Sequence, residues 1–371
     1  MTDLTWGIII SFIFILIFGI AEVARKFGVS DEGTRKLVHF GGAFVTIFFP
    51  FILTSQWTVL VLAIIFGLIM FLTKKFGLLK SVHAVERKSD GAIYHPIAIY
   101  ACFLYSQFLN QPWFYVIAIS VLAISDALAA IVGKNYGANE YIVEVGLRKT
   151  IEGSVTFFLT SFLIVHLVLL LATPLDRLES VLIALLISLI VTVFEGVSLK
   201  GADNLFIPLA TIFILSKNIH PTVYGISFQI GILIAFLTGY LIIMKPYRRI
   251  GFSGIILLGL INYVVWALLG NLYAFILFIF AFICAKTDLI LNYDCEFSDS
   301  FRVRNIFYVL TVPIVCSFLG NVFGNHIIFP FLSSIICESV LIRTKIYDVE
   351  IGLLITSVVS VIALGVSYVF I

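Results

Sequence analysis

Long apolar runs recur along the whole chain, and they constrain its fold more than any other feature of the sequence. From Trp6 onward the runs are about 17–22 residues long, enough for a helix to cross a hydrocarbon core about 30 Å thick. Backbone groups in lipid must form their hydrogen bonds within the segment, so these runs are predicted to be helices. With 61% hydrophobic and only 12% charged residues, the composition excludes a water-soluble domain. The sequence therefore predicts an all-α, polytopic transmembrane helical bundle.

Fourteen membrane spans are predicted, separated alternately by short uncharged turns and by basic loops. Placing the N-terminus outside puts 21 of the 23 Lys and Arg residues in inner loops and leaves only Arg177 and Lys217 outside. Basic loops face the cytoplasm by the positive-inside rule, so both termini are expected outside, in a cell (inner) membrane. The predicted spans are 6–24, 36–53, 56–72, 93–109, 113–133, 151–172, 180–197, 203–216, 223–244, 252–269, 272–288, 305–320, 323–341 and 350–370.

Charge and cysteine content argue against two further classes of protein. The net charge of +2 is too small to suggest a nucleic-acid partner. The five cysteines form no CxxC pair and lie mostly inside apolar runs, which is typical of packing residues. The first run follows no basic segment, so it is expected to be an uncleaved helix rather than a signal peptide. The sequence predicts no oligomeric state.

Three cationic side chains, Arg35, Lys36 and His39, begin the second span. Their spacing places them on one helix face, and a cationic cluster at the membrane surface suits a phosphate group. Arg35 and Lys36 could equally be positive-inside anchors, but a titratable group such as His39 inside a span is costly and indicates function. A second polar segment, residues 87–96, includes His95 and is either an irregular polar mouth at a helix entrance or a plain N-cap formed by Ser89 or Asp90.

A carboxylate, Asp126, lies inside the fifth predicted span, and an intramembrane carboxylate is a functional residue by default. Small residues at 127–133 allow another group to approach this helix closely. Lys149 and Glu152 open the next helix, where backbone amides and a lysine together favour an anion site. Glu152 could instead only complement the helix dipole.

Two further acidic residues flank a later loop. Glu195 ends one helix and Asp203 opens the next, where it is either a functional carboxylate or an N-cap. With Asp126 they offer hard oxygen ligands to Mg²⁺, which binds one or two carboxylates plus substrate phosphates. Cations beside such a metal stabilise charge during phosphoryl transfer. The constellation predicts that a cytosolic nucleotide meets a lipid here, although the sequence contains no Walker A motif or kinase glycine loop.

Six short motifs occur in order between residues 25 and 210. They are Arg-Lys-x-x-His at 35–39, Gly-x-x-Tyr-x-Pro at 91–96, Ser-Asp-Ala-x-Ala at 125–129, Gly-Lys-x-x-Gly at 133–137, Lys-Thr-x-Glu-Gly-Ser at 149–154 and Asp-Asn-Leu-x-x-Pro at 203–208. Together they resemble the dolichol kinase/phytol kinase family of membrane lipid kinases, which is related to the phosphatidate cytidylyltransferases. Ser125 stands where many relatives have Gly, and its hydroxyl either binds a phosphate or metal or is neutral.

The resemblance implies phosphorylation of an isoprenoid alcohol (dolichol, polyprenol, phytol or geranylgeraniol), with CTP as donor and Mg²⁺ as cofactor. The expected partners are the lipid alcohol, the nucleoside triphosphate and membrane lipids. From this resemblance and the residue chemistry above, catalytic roles are expected for Asp126, Lys149, Glu152 and His39. Mg²⁺ is expected on Asp126, Asp203 and Glu195. Nucleotide contacts are expected from Arg35, Lys36, Lys134, Arg148, Ser154 and Asn204.

Two other functions stay open. Phosphatidate cytidylyltransferases share the Lys-Thr-x-Glu-Gly block at 149–153, but their extended basic block and their His-Gly-Gly before an Asp-Arg pair are absent here. The final acidic motif reads Asp-Asn at 203–204, which favours a kinase. A transporter would need polar groups near the bilayer midplane, often in two inverted halves, whereas the polar groups of this sequence crowd one membrane face.

The chain is predicted to contain two domains. Residues 1–244 form the kinase-like domain, and residues 245–371 form a C-terminal transmembrane helical domain that begins at a basic break. Short segments of the second domain weakly resemble the phytyl-phosphate kinase-like proteins, but the acidic signature expected near 337–345 is largely absent. This domain is therefore either a degenerate enzyme or a helical accessory module.

Overall fold

Helices dominate the computed structural model, which describes residues 2–79, 81, 91–144, 147–198, 201–220, 222–244 and 251–290. The first helices are α1 (Asp3–Lys26), α2 (Asp31–Ile47), α3 (Phe49–Ile52), α4 (Gln56–Lys75), α5 (Gly91–Phe108), α6 (Pro112–Ser120) and α7 (Asp126–Tyr136), with a π-helical turn at Val121–Ser125 between α6 and α7. They are followed by β1 (Glu140–Glu144), β2 (Leu147–Thr150), α8 (Ile151–Ala172), α9 (Arg177–Val197), α10 (Asp203–Lys217), α11 (Val223–Met244), α12 (Phe252–Leu269) and α13 (Asn271–Ile290).

Eight helical segments in the described part of the chain are long and apolar enough to cross a membrane. They are Asp3–Lys26, Gly33–Ile52, Gln56–Lys75, Pro112–Tyr136, Ile151–Ala172, Arg177–Val197, Val223–Met244 and Phe252–Leu269. A membrane-spanning helical protein is thus confirmed. The count of fourteen and the placement of the termini stay predictions, because the predicted spans 305–320, 323–341 and 350–370 lie outside the described residues.

Helix α8 has one apolar stripe that is buried in the protein and a second that is exposed. The buried stripe is Phe157, Ser161, Val165 and Leu169, and the exposed stripe is Val155, Leu159, Leu163, Leu167 and Leu171. In water an exposed apolar stripe of this length would cause aggregation. In a bilayer it is the surface expected to face lipid tails, which are as apolar as leucine.

A β-hairpin, β1 paired with β2, interrupts the helical fold between α7 and α8. The all-α prediction is wrong at this point. Residues 141–143 are Tyr, Ile and Val, which favour strands because aromatic and β-branched side chains pack well on a pleated surface. The hairpin delivers Lys149 and Thr150, at the end of β2, to the start of α8.

The centre of the N-terminal helices is the continuous segment formed by α6, the π-helical turn and α7. Every residue from Phe114 to Ala123 is buried, as expected for a helix that is apolar on all sides. Helices α2, α5, α8 and α10 all pack against this segment. The segment therefore fixes the position of Asp126, which follows the π-helical turn directly.

Two compact units divide the chain. The first comprises Met1–Tyr141 and Lys149–Phe228, and the second comprises Ile142–Arg148 and Gln229–Ile371. In the second unit, α11 and α12 approach closely where a Cβ atom on Gly259 would lie 3.2 Å from the Leu237 Cα atom. Asn262 Nδ2 donates a hydrogen bond to the Tyr240 hydroxyl at 3.0 Å nearby. The predicted domain boundary at 244/245 stays a prediction.

Candidate functional site

The best-defined contact among the predicted site residues joins Lys149, at the end of β2, to Glu195, near the end of α9. Lys149 Nζ lies 2.7 Å from Glu195 Oε1, and each side chain is 12% exposed. The same ammonium group also donates to the Glu195 carbonyl oxygen and to Ser198 Oγ at 3.2 Å. Lys149 therefore crosslinks the start of α8 to the end of α9.

Electrostatics keep the Lys149 side chain charged. Burial alone acts to lower its pKa, because desolvation disfavours the ammonium form. The Glu195 carboxylate and then Asp203 outweigh that effect and hold the pKa of Lys149 above its usual value. A positive charge is thus fixed at this place at neutral pH.

Asp203 is the first residue of α10 and approaches the same contact through Ser198. Ser198 Oγ lies 3.1 Å from Asp203 Oδ2, and the other carboxylate oxygen accepts a hydrogen bond from the Asn204 backbone N–H at 3.0 Å. The N-cap of α10 is Ala202, so the carboxylate is not used in the N-cap position. Asn204, expected at the nucleotide, contributes its backbone N–H to this arrangement.

The remaining acidic and basic residues lie close enough for each to be affected by the charge of its neighbours, through attraction or repulsion. Glu195 interacts with both Asp126 and Asp203. His39 on α2 interacts with the same two carboxylates and with Arg35 and Lys36 on its own helix. We call the seven residues joined in this way the polar cluster: Arg35, Lys36, His39, Asp126, Lys149, Glu195 and Asp203.

A close approach packs the start of α8 against α7, the helix that begins at Asp126. Side chains larger than hydrogen do not fit at the contact. A Cβ atom on Gly133 would lie 2.7 Å from Thr150 Oγ1, and one on Gly153 would lie 3.1 Å from the Ala129 carbonyl oxygen. Thr150 caps α8 by accepting the Gly153 N–H at 3.2 Å. The amides at the start of α8 are therefore partly satisfied by Thr150, which weakens the predicted anion site there.

Glu152 has contacts of a different kind. Its Oε1 accepts hydrogen bonds from the Asn139 backbone N–H at 3.2 Å and from Asn139 Nδ2 at 2.8 Å, and the Ile151 N–H donates to the Asn139 carbonyl oxygen at 2.9 Å. Glu152 is exposed. These contacts hold the segment after α7 against the start of α8, and the catalytic role predicted for Glu152 stays a prediction.

Tyr141 and Ser154 form a second link across the same helices. Tyr141 Oη lies 2.9 Å from Ser154 Oγ and donates to the Gly196 carbonyl oxygen at 3.4 Å. Burial raises the pKa of the Tyr141 phenol, and the hydrogen bond with Ser154 acts in the opposite direction. Sequence reasoning did not identify Tyr141, Ser198 or Asn139. Only the run of strand-forming residues around Tyr141 could have indicated the hairpin that places it.

Two predicted cationic residues lie on exposed surface. Lys134 is in the last turn of α7 and Arg148 is on β2, and both side chains are exposed. The contacts that define the polar cluster do not include them. Their predicted nucleotide contacts stay predictions.

The predicted metal ligands meet some of the requirements of a Mg²⁺ site. Among the described residues, no group of three or more His, Cys, Asp or Glu side chains is arranged to hold a metal. Mg²⁺ does not require such a group, because it takes one or two carboxylates and completes its shell with water and phosphate oxygens. Glu195 Oε2 and Ser125 Oγ are buried and have no hydrogen-bond partner in the described part of the chain. These orphaned oxygen atoms beside Asp126 and Asp203 suit a hard cation.

Comparison with known proteins gives one informative match. The chain is 31% identical over 195 residues to a phytol kinase of Synechocystis sp., a match that covers 52% of this chain and 83% of that relative. No family model matches the chain, and no solved structure matches it at a significant level. The chain belongs to the phytol kinase family.

Proposed function

We propose that this protein is a membrane-embedded kinase that transfers the γ-phosphate of CTP to an isoprenoid alcohol at the cytoplasmic face, with Mg²⁺. The observation that carries the proposal is the polar cluster, which brings three carboxylates together with Lys149 and with the basic residues of α2 among apolar helices. Membership of the phytol kinase family supports an alcohol as acceptor. Apolar helix surfaces beside the cluster suit a substrate that stays in the bilayer.

The residues of the polar cluster divide naturally between the metal and the phosphates. Asp126 and Asp203 would hold Mg²⁺, which would neutralise charge on the phosphate oxygens. Arg35, Lys36 and Lys149 would stabilise the negative charge that spreads over the transferred phosphoryl group. Glu195 fixes Lys149 in place through the ion pair.

Transfer to an alcohol also requires a proton acceptor. As the alcohol oxygen forms its bond to the γ-phosphorus, the bond from phosphorus to the bridging oxygen breaks and CDP leaves. The hydroxyl proton must pass to a nearby base. His39 interacts with Asp126 and Asp203, so a proton taken up by its imidazole would be stabilised by both carboxylates.

The direct test supplies purified protein with Mg²⁺, CTP labelled in the γ-phosphate, and a panel of phytol, geranylgeraniol, long polyprenols and diacylglycerol. Label in a prenyl phosphate is the expected result and identifies the alcohol. Absence of γ-label combined with transfer from α-labelled CTP to phosphatidate would instead establish a cytidylyltransferase. If neither label is transferred to a lipid, the kinase proposal is overturned and transport assays are the next experiment.

Asp126→Asn is the sharpest variant for the metal role, because it removes one charge and preserves size. We expect phosphate transfer to fall at least about a hundredfold, as for the loss of a preorganised charge in other active sites, while the amount of inserted protein stays the same. Glu179→Gln is the matched control. Glu179 lies at the opposite end of α9 from Glu195 and accepts a hydrogen bond from the Asp176 N–H, which glutamine can also accept. Full activity in Asp126→Asn would remove Asp126 from the site.

A further inference from the structure

A pair of histidines lies beside the polar cluster, and the proposed phosphate transfer uses only one of them. His39 on α2 and His95 on α5 have ring centroids 4.9 Å apart with an interplanar angle of 51°. Helix α2 packs against α1, α6 and the π-helical turn, whereas α5 packs against α4, α6 and α10. The two imidazoles therefore meet where two differently supported helices converge.

The ring nitrogens of this pair are short of partners. His39 Nε2, His95 Nδ1 and His95 Nε2 are all buried and have no hydrogen-bond partner among the described residues. Buried polar atoms in folded proteins are nearly always hydrogen-bonded, and the exceptions call for a specific explanation. A neutral imidazole carries one donor and one acceptor nitrogen. The pair therefore offers both kinds of group to a small ligand.

A hydroxyl group matches that pair of functions. Its O–H donates to an unprotonated ring nitrogen, and its oxygen accepts from an N–H while one lone pair remains for chemistry. An ether lacks the donor, and a carboxylate or phosphate lacks it too when ionised. Of these groups, only the hydroxyl satisfies both rings and still carries a nucleophilic oxygen.

The surroundings suit an alcohol on a long apolar chain. On the phosphate side, His39 interacts with Asp126 and Asp203. On the lipid side, both helices expose large apolar side chains, with Phe40 of α2 46% exposed and Ile97 of α5 51% exposed. A lipid whose hydroxyl lies at the histidine pair can keep its chain along these surfaces and its oxygen beside the polar cluster.

We propose that the histidine pair is the binding site for the hydroxyl group of the lipid alcohol, with His95 as a substrate-binding residue. This inference rests on the proposed kinase function and names the place of its acceptor. His39 accepts the hydroxyl hydrogen, and His95 donates to the hydroxyl oxygen and orients it. His95 acts on alcohol binding and leaves nucleotide binding unchanged.

The test compares wild type with His95→Phe and His95→Gln, using phytol as substrate and phytol methyl ether as a competitive inhibitor. Phenylalanine preserves the ring and removes both nitrogens, whereas glutamine keeps a donor and an acceptor. We expect the KM for phytol to rise about tenfold in His95→Phe, the effect of one lost hydrogen bond to a buried group, with the KM for CTP unchanged. His95→Gln should recover part of this loss. The ether keeps the oxygen that accepts from His95 and lacks only the hydrogen that goes to His39, so it should bind wild type more weakly than phytol does and bind His95→Phe more weakly still.

A stability measurement separates binding from a merely structural role. Since the His95 nitrogens have no hydrogen-bond partner among the described residues, His95→Phe should unfold at the same temperature as wild type or higher. Phytol should raise the unfolding temperature of wild type and have a smaller effect on His95→Phe. An unchanged KM for phytol in both variants, or a ligand-free protein destabilised by His95→Phe and rescued by His95→Gln without any change in KM, would overturn the inference. If wild type phosphorylates no alcohol, the kinase proposal itself has failed, and that result is visible before any variant is made.

Discussion

The Lys149 ammonium and the Glu195 carboxylate lie 2.7 Å apart with little of either side chain exposed. Neither charge has a comparable counter-ion in the contacts described above, so each depends on the other. Removing one member of a buried pair leaves an uncompensated charge, which costs far more than the pair itself contributes. Glu195→Gln and Lys149→Met should therefore each destabilise the protein on the order of 3 kcal/mol.

The double variant decides whether the two residues act as a unit. We expect Glu195→Gln with Lys149→Met to be less destabilised than the sum of the single variants, because coupled residues are not additive. Thermal unfolding in detergent measures all three. Arg25→Gln is the control, since its pair with Glu22 has side chains 30% and 27% exposed and should contribute below about 1 kcal/mol. Equal losses in Arg25→Gln and Glu195→Gln would contradict the assignment.

The pH dependence of this pair follows from the direction of the Lys149 shift. Because the pKa of Lys149 is raised from its usual 10.5, the folded state binds the proton more tightly than the unfolded state does. The stabilisation is complete below that usual value and is lost only as pH rises through the higher folded pKa. Unfolding temperatures measured between pH 7 and 9 should thus contain the full contribution of Lys149 and show no pH dependence that arises from it.

Sequence reasoning selected residues whose charge is costly at their position in the chain. Asp126, Glu195 and Asp203 are predicted as site residues because charge is costly in or beside an apolar span, and in the folded protein Glu195 is affected by the charges of both Asp126 and Asp203. Ser198 and Tyr141 are ordinary polar residues in a sequence. Their importance comes from partners 49 and 55 residues away, Lys149 and Gly196, and such pairings are decided by packing.

At the scale of elements, the contact between α7 and the start of α8 is the closest approach in the site. A Cβ atom on Gly137 would collide with the Gly133 carbonyl oxygen and lie 2.9 Å from the Thr150 Cβ atom. Both obstacles are at or next to the backbone, so neither can rotate away. The sequence analysis predicts that the small residues of α7 allow another group to approach this helix closely, and the start of α8 is the group that does so.

Gly137→Ala should therefore separate α7 from α8. We expect a destabilisation of about 1–3 kcal/mol, the usual cost of overpacking, together with reduced phosphate transfer. Gly67→Ala in α4 is the matched control, because nothing lies within 4 Å of its Cβ position and alanine is the better helix former by roughly 0.5–1 kcal/mol. Similar activity and unfolding temperature in the two variants would show that this contact does not position the site.

Helix positions could be predicted well from the sequence, and the hairpin could not. The predicted span 151–172 coincides with α8, and 223–244 coincides with α11, because the apolar runs end where the helices end. The hairpin lies between spans, in a polar segment that the membrane argument does not constrain. Its strand-forming core is only Tyr141 to Val143. A run of three residues is too short for its periodicity to distinguish a strand from a loop.

At the scale of the whole molecule, the prediction with the most consequence is the orientation of the protein in the membrane. By the positive-inside rule, Lys134 is predicted to lie in the cytoplasm and Thr54, in the turn before α4, is predicted to lie outside. Both side chains are exposed in the structure. In a variant with its native cysteines replaced, Thr54→Cys should react with an impermeant maleimide on intact cells. Lys134→Cys should react only after the membrane is permeabilised.

The cysteine-free parent controls for background labelling, and Arg177→Cys, predicted outside, repeats the outer result at a second position. The reverse pattern would place the polar cluster away from the cytosolic nucleotide pool and contradict the proposed site of reaction. Labelling of Thr54→Cys and Lys134→Cys from the same side would show that the number of crossings between them is wrong.

Helices α8 and α9 have 22 and 21 residues, and they run out and back between Lys149 and Glu195, which stand 46 positions apart. The ion pair thus closes a ring around one complete helical hairpin. A ribosome delivers Lys149 first, so its partner carboxylate does not exist until nearly the whole hairpin has been synthesised. Neutralisation of Lys149 by Glu195 therefore has to follow the synthesis of both helices of the hairpin. A nascent chain that stops short of α9 carries the lysine but has no assembled site.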